Sequence, residues 1–250
     1  MRPTLLVLVA GLVLAAWGCA STQDAKRQEE ARAHFSLGAS FLAEGDLPNA
    51  LRELLAAEQL NPKDPQIPNA LGLAFRERQQ YADAERRLKR AVELSPDFSD
   101  AWNNLGVLYA DQKRWDEALR AFERALANVL YTTPERAWTN IGRVQYEQGR
   151  TLQAIGSYKK ALQFNPEYAL THFNLGLAHE RTGQLKEAIV EYQQAVRLFP
   201  GYAQAHYTLG MVYVRQKAKK EAAAALNEVV RLIPNSELGR QAADQLTRLR

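Results

Sequence analysis

A single cysteine, Cys19, stands among the 250 residues, so no internal disulfide framework is possible. Neither sign of charge dominates: 32 basic residues face 28 acidic ones, leaving +4. The densest basic group is Arg215, Lys217, Lys219 and Lys220. With no nucleic-acid module beside it, that group reads as a solvated helix surface. No apolar run reaches the ~20 residues that cross a membrane in comfort; the longest, from Thr4 to Ala16, falls short. The chain also has no phosphate loop and no nucleophile elbow of the glycine–serine type. Acidic pairs such as Asp116–Glu117 fall where helices are expected to begin, and negative charge there suits the helix dipole. The expectation is a protein that is not an enzyme and uses no cofactor.

What is present begins at the N-terminus. Met1-Arg2-Pro3, a short apolar run and then Trp17-Gly18-Cys19 have the layout of a secretory signal. A cysteine directly after such a run resembles a bacterial lipobox, in which that cysteine is lipidated and becomes the mature N-terminus. Gly18 fits this pattern, Ala16 stands where leucine is usual, and Trp17 replaces the usual small residue. On this reading residues 1–18 are a lipoprotein signal, Cys19 is the lipid attachment site, and residues 19–30 are a short tether. Two alternatives stay open: cleavage after Ala20, which discards Cys19, and an uncleaved anchor.

Beyond residue 30 the sequence repeats. Gly38, Gly72, Gly106, Gly142, Gly176 and Gly210 are spaced 34, 34, 36, 34 and 34 residues apart. Twelve residues after each comes an alanine: Ala50, Ala84, Ala118, Ala154, Ala188 and Ala222. Seven further on stand Ala57, Ala91, Ala125, Ala161, Ala195 and Val229. Pro62, Pro96, Pro166, Pro200 and Pro234 close five repeats, and Leu130 replaces the proline of the third. A glycine inside a helix costs about 1 kcal/mol against alanine, so six of them imply a compensating close approach of two helices. The expectation is that each glycine faces the alanine of its hairpin mate. Leu37, Leu71, Leu105, Ile141, Leu175 and Leu209 precede the glycines and are expected to be buried. Proline ends the second helix of each pair, and Glu44-Gly45-Asp46 and Thr182-Gly183-Gln184 mark the turn inside it.

This pattern resembles the tetratricopeptide repeat (TPR); Trp102-x-x-Leu105-Gly106-x-x-Tyr109, followed by Ala118 and Phe122, is the best-formed copy. The resemblance implies an all-α, right-handed superhelical solenoid of six TPR helical hairpins. Their ranges are 31–64, 65–98, 99–132, 135–168, 169–202 and 203–236, with a cap helix over 237–250. His34, His172 and His206 occupy the fourth position of their repeats, where Trp102 and Trp138 stand in others, and His179 fills an aromatic slot at the eleventh. They are read as packing residues, and no metal site is expected.

In such repeats the inner surface is lined by positions two, five, nine, twelve and thirteen of each first helix. In repeat one these are Arg32, Phe35, Ala39, Leu42 and Ala43, so Phe35, Ala39, Leu42 and Ala43 form the candidate partner-binding groove. A second candidate groove is Phe173, Leu177, Tyr207, Met211 and Val214, with packing inside the stack as the competing reading. The middle repeats are more polar, with Arg76, Glu77, Asp100, Asp111, Arg143 and Glu147. The lysine–asparagine pair with which chaperone-binding members grip a peptide carboxylate is absent. An apolar groove of this kind suits an amphipathic helix or strand.

One segment breaks the register. Residues 128–142, beginning Asn128-Val129-Leu130-Tyr131-Thr132-Thr133-Pro134, carry two extra residues and lack the closing proline. Leu-Tyr, then proline, then Arg136 and Asn140-Ile141-Gly142, is similar to the junction of type IV pilus biogenesis lipoproteins, the pilotins of the PilF/PilW/Tgl type. Asn103-Asn104-Leu105-Gly106 with Gln112-Lys113-Arg114-Trp115-Asp116-Glu117-Ala118 resembles that family's third repeat. The resemblance implies a lipid-anchored protein on the periplasmic face of the outer membrane of a Gram-negative bacterium. It also implies the type IV pilus secretin as protein partner, no nucleic acid, and a role in bringing the secretin to that membrane and promoting its oligomerisation. Ala20 after the cysteine agrees with outer-membrane sorting. The alternative is a periplasmic TPR scaffold lipoprotein serving cell-wall or envelope complexes.

Overall fold

The computed structural model describes the backbone of residues 4–249 and the side chains of residues 23–249. The side chains of Cys19 and of the whole predicted signal, residues 1–18, lie outside those described. Among the described residues the chain is entirely helical. The elements are α1 (Thr4–Glu44), α2 (Leu47–Leu60), α3 (Gln66–Glu77), α4 (Tyr81–Leu94), α5 (Ser99–Asp111), α6 (Trp115–Ala127), α7 (Pro134–Glu147), α8 (Thr151–Phe164), α9 (Ala169–Arg181), α10 (Leu185–Leu198), α11 (Ala203–Arg215), α12 (Lys219–Leu232) and α13 (Glu237–Leu249). The fold is therefore a series of helical hairpins followed by one closing helix. Residues 23–30, expected as a tether, are helical within α1. The stretch Gln23–Glu30 is rich in Gln, Lys, Arg and Glu, which lose little side-chain freedom in a helix. A helix advances about 1.5 Å per residue instead of the ~3.5 Å of extended chain, so this link is shorter than an extended tether. Among the described residues no helix is long and apolar enough to cross a membrane.

The chain divides into two compact units, one ending at Gln112 and the other beginning at Lys113. In the first, α1 packs on α2 and α3 on α4, while α2 meets α3 and α4 meets α5. In the second, α7–α8, α9–α10 and α11–α12 are hairpins; α6 lies on α7, and α13 lies on α12. Contacts within each unit thus run between neighbouring hairpins, the arrangement of a repeat stack. The register alanines Ala50, Ala84, Ala118, Ala154, Ala188 and Ala222 are all fully buried.

Each hairpin turn needs one residue at positive φ, and the six positions keep the repeat spacing: Gly45, Gln79, Lys113, Gly149, Gly183 and Lys217. Each closing proline stands two residues past the last helical residue, as Pro62 does after Leu60 and Pro200 after Leu198. The third repeat lacks it, and α6 ends at Ala127.

Two expectations about packing are corrected. The glycines do not chiefly accommodate the alanine of the partner helix. A Cβ added to Gly38, Gly72 or Gly210 would lie 2.8, 2.5 or 2.9 Å from Cγ of Leu54, Leu88 or Leu226, and one on Gly142 or Gly176 would lie 2.5 or 2.6 Å from the ring of Tyr158 or Tyr192. The large residue sixteen positions on, one helical turn beyond the alanine, fills the space that the missing side chain leaves. Secondly, Leu71, Leu105, Ile141, Leu175 and Leu209 are buried, but Leu37 is 46% exposed. Among the described residues no earlier hairpin packs on α1, and its outward leucine stays uncovered.

The glycine contact gives a direct stability prediction. Gly72→Ala should destabilise the protein by about 1–3 kcal/mol through overpacking. Chemical unfolding of the double-mutant cycle with Leu88→Ala should show a smaller penalty when the leucine is already truncated. Additive effects would contradict the contact.

Candidate functional site

The inner slots of repeat one fall on α1. Phe35 and Leu42 are seven residues apart, on the same side of the helix, and both are half-buried against a core of Leu51, Leu54, Ile67, Leu71 and Ala74. Phe75 of α3 packs on the same core. Ala39 is half-buried and Ala43 is exposed. The apolar wall expected here exists, but its two large side chains also hold α1 to α2 and α3. Ala43 and Ala39 are the slots whose replacement disturbs that packing least.

The second groove is largely closed. Phe173 is buried, with its ring centroid 5.8 Å from Tyr192 and 5.0 Å from Tyr202. Leu177 packs against the same cluster. Tyr207 and Val214 lie against the core that α12 forms with Leu238, Leu246 and Leu249 of the closing helix. The reading of Phe173 as a groove residue is therefore corrected: bulky aromatics from α10 and the following turn cover it. Met211 remains half-buried.

The polar residues of the first helices are tied from one repeat to the next. Arg76 Nε donates to Asp111 Oδ2 at 2.6 Å, and Asn104 Nδ2 to Asn69 Oδ1 at 2.9 Å. In the second unit Arg181 donates to the Tyr146 carbonyl at 2.8 Å, and Arg215 pairs with Glu180. Glu180 also accepts from the Tyr192 hydroxyl at 2.9 Å. Thr139 and Thr171 share a buried hydrogen bond of 2.6 Å. Apart from the Tyr192–Glu180 bond within one hairpin, these contacts recur at separations of 32 or 35 residues, so the charges serve the stack as much as any ligand.

No cluster of His, Cys, Asp and Glu able to hold a metal ion occurs among the described residues. The fourth-position aromatics have a bonding role in addition to packing. Trp102 donates its indole N–H to the Pro96 carbonyl at 2.8 Å, and the Nε2 atoms of His172 and His206 lie 2.9 and 3.0 Å from the carbonyls of Pro166 and Pro200. Each such bond ties the start of one hairpin to the end of the one before. His34 instead bonds Glu53 through Nδ1 at 2.7 Å, and His179 bonds Gln184 through Nδ1 at 2.6 Å.

Trp138, in the same slot, has no such bond. Six residues earlier stands Thr132 instead of proline, and the indole N–H has no hydrogen-bond partner among the described residues. Lys160 Nζ lies 4.4 Å from its ring centroid. The register break has left a pocket of about 620 Å³ lined by Leu126, Val129, Tyr131, Glu135, Trp138 and Phe164, with others. Val129, Leu130 and Phe164 are 94%, 82% and 58% exposed. The sequence marked this place by its two extra residues and missing proline, but nothing in it identified a pocket.

His172 supplies a pH prediction. Burial disfavours its charge, yet the Glu191 carboxylate at 2.6 Å and the Pro166 carbonyl outweigh burial and raise its pKa above 6.5. Two acceptors on two ring nitrogens are both satisfied only by the imidazolium. A raised folded-state pKa gives stabilisation that is complete below the unfolded value and fades as pH rises through the folded one. Melting between pH 6 and 8.5 should show lower stability at the higher pH, and His172→Phe should flatten that difference. An unchanged slope in the variant would assign the pH effect elsewhere.

The tetratricopeptide repeat family matches residues 20–65, 69–129 and 173–237, more than half of the chain, and a TPR repeat is matched over residues 142–183. No curated protein sequence matches it. Among solved structures, Pseudomonas aeruginosa PilF is similar with a TM-score of 0.73 at 20% identity, over 88% of this chain and 99% of PilF. PilW, a widely conserved type IV pilus biogenesis factor, gives 0.74 at 20% identity, over 85% of this chain and 98% of PilW. YrrB, a TPR protein with an unusual peptide-binding site, gives 0.52 at 20% identity, over 76% of this chain and 97% of YrrB.

Proposed function

The chain belongs to the tetratricopeptide repeat family, and from that premise we propose that it is a non-enzymatic, protein-binding lipoprotein of type IV pilus biogenesis. It acts as a pilotin: lipid on Cys19 holds it at the periplasmic face of the outer membrane, and the stack binds the secretin and promotes its targeting and oligomerisation. No cofactor takes part. The observation that carries this reading is a likeness of fold to PilF and PilW that takes in nearly the whole of both proteins. It is joined by a lone cysteine directly after an apolar N-terminal run and by the junction resemblance at residues 128–142. The second reading, a TPR scaffold lipoprotein for another envelope complex, draws on the likeness to YrrB, a TPR protein with an unusual peptide-binding site.

The docking end is the α1 face. Its slots carry no charge between Phe35 and Ala43, and among the described residues no preceding hairpin packs on α1. An exposed apolar surface of this sort supplies the burial that drives association, about 25 cal/mol per Å². Phe35 and Leu42 belong partly to the core, so Ala43→Glu and Ala39→Glu are the sharper probes.

Two substitutions in cells separate anchoring from docking. Cys19→Ala should leave the protein folded but absent from the outer-membrane fraction, since stable attachment needs the full lipid modification. Ala43→Glu should leave anchoring and helix content intact while lowering heat-resistant secretin multimers by about tenfold, the effect of some 1.4 kcal/mol of lost affinity. Met211→Glu should leave multimers unchanged. The reverse pattern would move docking to the far repeats. If neither variant alters the multimers, the pilotin reading fails and the scaffold reading stands.

A further inference from the structure

The junction after α6 is the one stretch where the repeat register fails, and it leaves more unsatisfied chemistry than its surroundings. Val129 and Leu130 are consecutive apolar side chains standing almost wholly in solvent. Beside them opens the pocket lined by Tyr131, Glu135, Trp138 and Phe164. Glu135 is only 8% exposed, and its carboxylate has no hydrogen-bond or ion-pair partner among the described residues. Standing in the first turn of α7 and in the lining of the pocket, that carboxylate is an open negative charge among apolar side chains, and a cation entering the pocket can pair with it. Aromatic faces near the carboxylate favour the same occupant, because a ring attracts a cation through its quadrupole. Trp138 already draws Lys160 to within 4.4 Å of its centroid, which shows how that ring behaves. Its indole N–H, deprived of the proline carbonyl that Trp102 uses, is free to donate to a peptide carbonyl.

We propose that this pocket binds a lysine or arginine side chain carried by an extended segment of a protein partner. Glu135 meets the charged head, Trp138 and Phe164 flank its apolar stem, and Val129 and Leu130 cover apolar residues on either side of it. Long basic side chains suit such a site because the methylene stem packs on apolar surface while the head finds its charge. The two extra residues of the junction are what make room: at Pro96, Pro166 and Pro200 a proline closes the hairpin and its carbonyl takes the ring at the fourth position of the next repeat. The proposal rests on the reading of the chain as a protein-binding stack, but it does not involve the α1 face. Its failure would leave the secretin experiment untouched, and the reverse holds as well.

The test is a titration of the full-length protein in detergent with end-blocked pentapeptides, followed by the Trp138 indole N–H signal in NMR spectra. That signal is assigned by its loss in Trp138→Phe. The probe is Ala-Leu-Lys-Leu-Ala, compared with the same peptide carrying norleucine in place of lysine. The lysine peptide should shift the Trp138 signal with at least tenfold higher affinity than its norleucine analogue. Glu135→Gln, which keeps shape and removes charge, should abolish that preference. Val129→Ser with Leu130→Ser alters only exposed loop residues and should weaken both peptides about fivefold. Equal binding of the lysine and norleucine peptides would overturn the proposal and leave an apolar patch alone. So would a Trp138 signal that moves with protein concentration and not with peptide, which would make the patch a contact between two copies of this chain.

Discussion

The close approach of two helices across a glycine governs the rest of this structure. At Gly38, Gly72, Gly142, Gly176 and Gly210 an added Cβ would come within 3 Å of a large side chain from the second helix of the hairpin. Leu54, Leu88, Tyr158, Tyr192 and Leu226 are the residues that fill those spaces, and each is almost fully buried. The glycine's lost helix propensity, about 1 kcal/mol, is offset by burying an entire leucine or tyrosine side chain, worth about 1.5–3 kcal/mol for a leucine. Once that spacing is set, the buried alanines, the turn residue at positive φ and the closing proline follow at fixed intervals. The polar bonds between successive first helices can then recur at nearly the repeat length.

Much of this was legible in the sequence because it is periodic. Glycine, alanine and proline at constant intervals fix where helices begin and end, and the structure places them so. Which residue a glycine faces was not legible. Periodicity tells which positions are small, but the crossing of two helices decides that Leu88, not Ala84, fills the space at Gly72. Leu37 was misread for a related reason: its slot is buried only where an earlier hairpin packs on it, and among the described residues none packs on α1. At the candidate grooves, a slot number gave the side of the helix and nothing about its neighbours. Phe173 has the position of a groove residue, yet Tyr192 and Tyr202, nineteen residues or more away in sequence, close over it. The junction was visible as an error in the register. That the same error leaves the Trp138 indole N–H without a partner and sets the Glu135 carboxylate in the lining of a pocket required coordinates.

These facts narrow where a partner can bind. Charged inner positions such as Arg76, Asp111, Glu180 and Arg215 already bond to one another. Large apolar inner positions are shared with the core. What remains open is at departures from the repeat: the uncovered α1 face, where the series starts, and the junction, where a proline is missing. A repeat satisfies itself through its neighbours, so recognition concentrates where a neighbour is lacking or displaced.

The central claim, that the glycine contact is the local lock and that stability passes only between neighbouring hairpins, is tested most directly by hydrogen exchange on Gly142→Ala. The added methyl would strike the Tyr158 ring within the α7–α8 hairpin. The account predicts that amide protection falls most in α7 and α8, less in the adjoining α6 and α9, and stays at the wild-type level in α12 and α13. Equal loss of protection from α6 through α13 would contradict it, and would show a unit that opens as a whole.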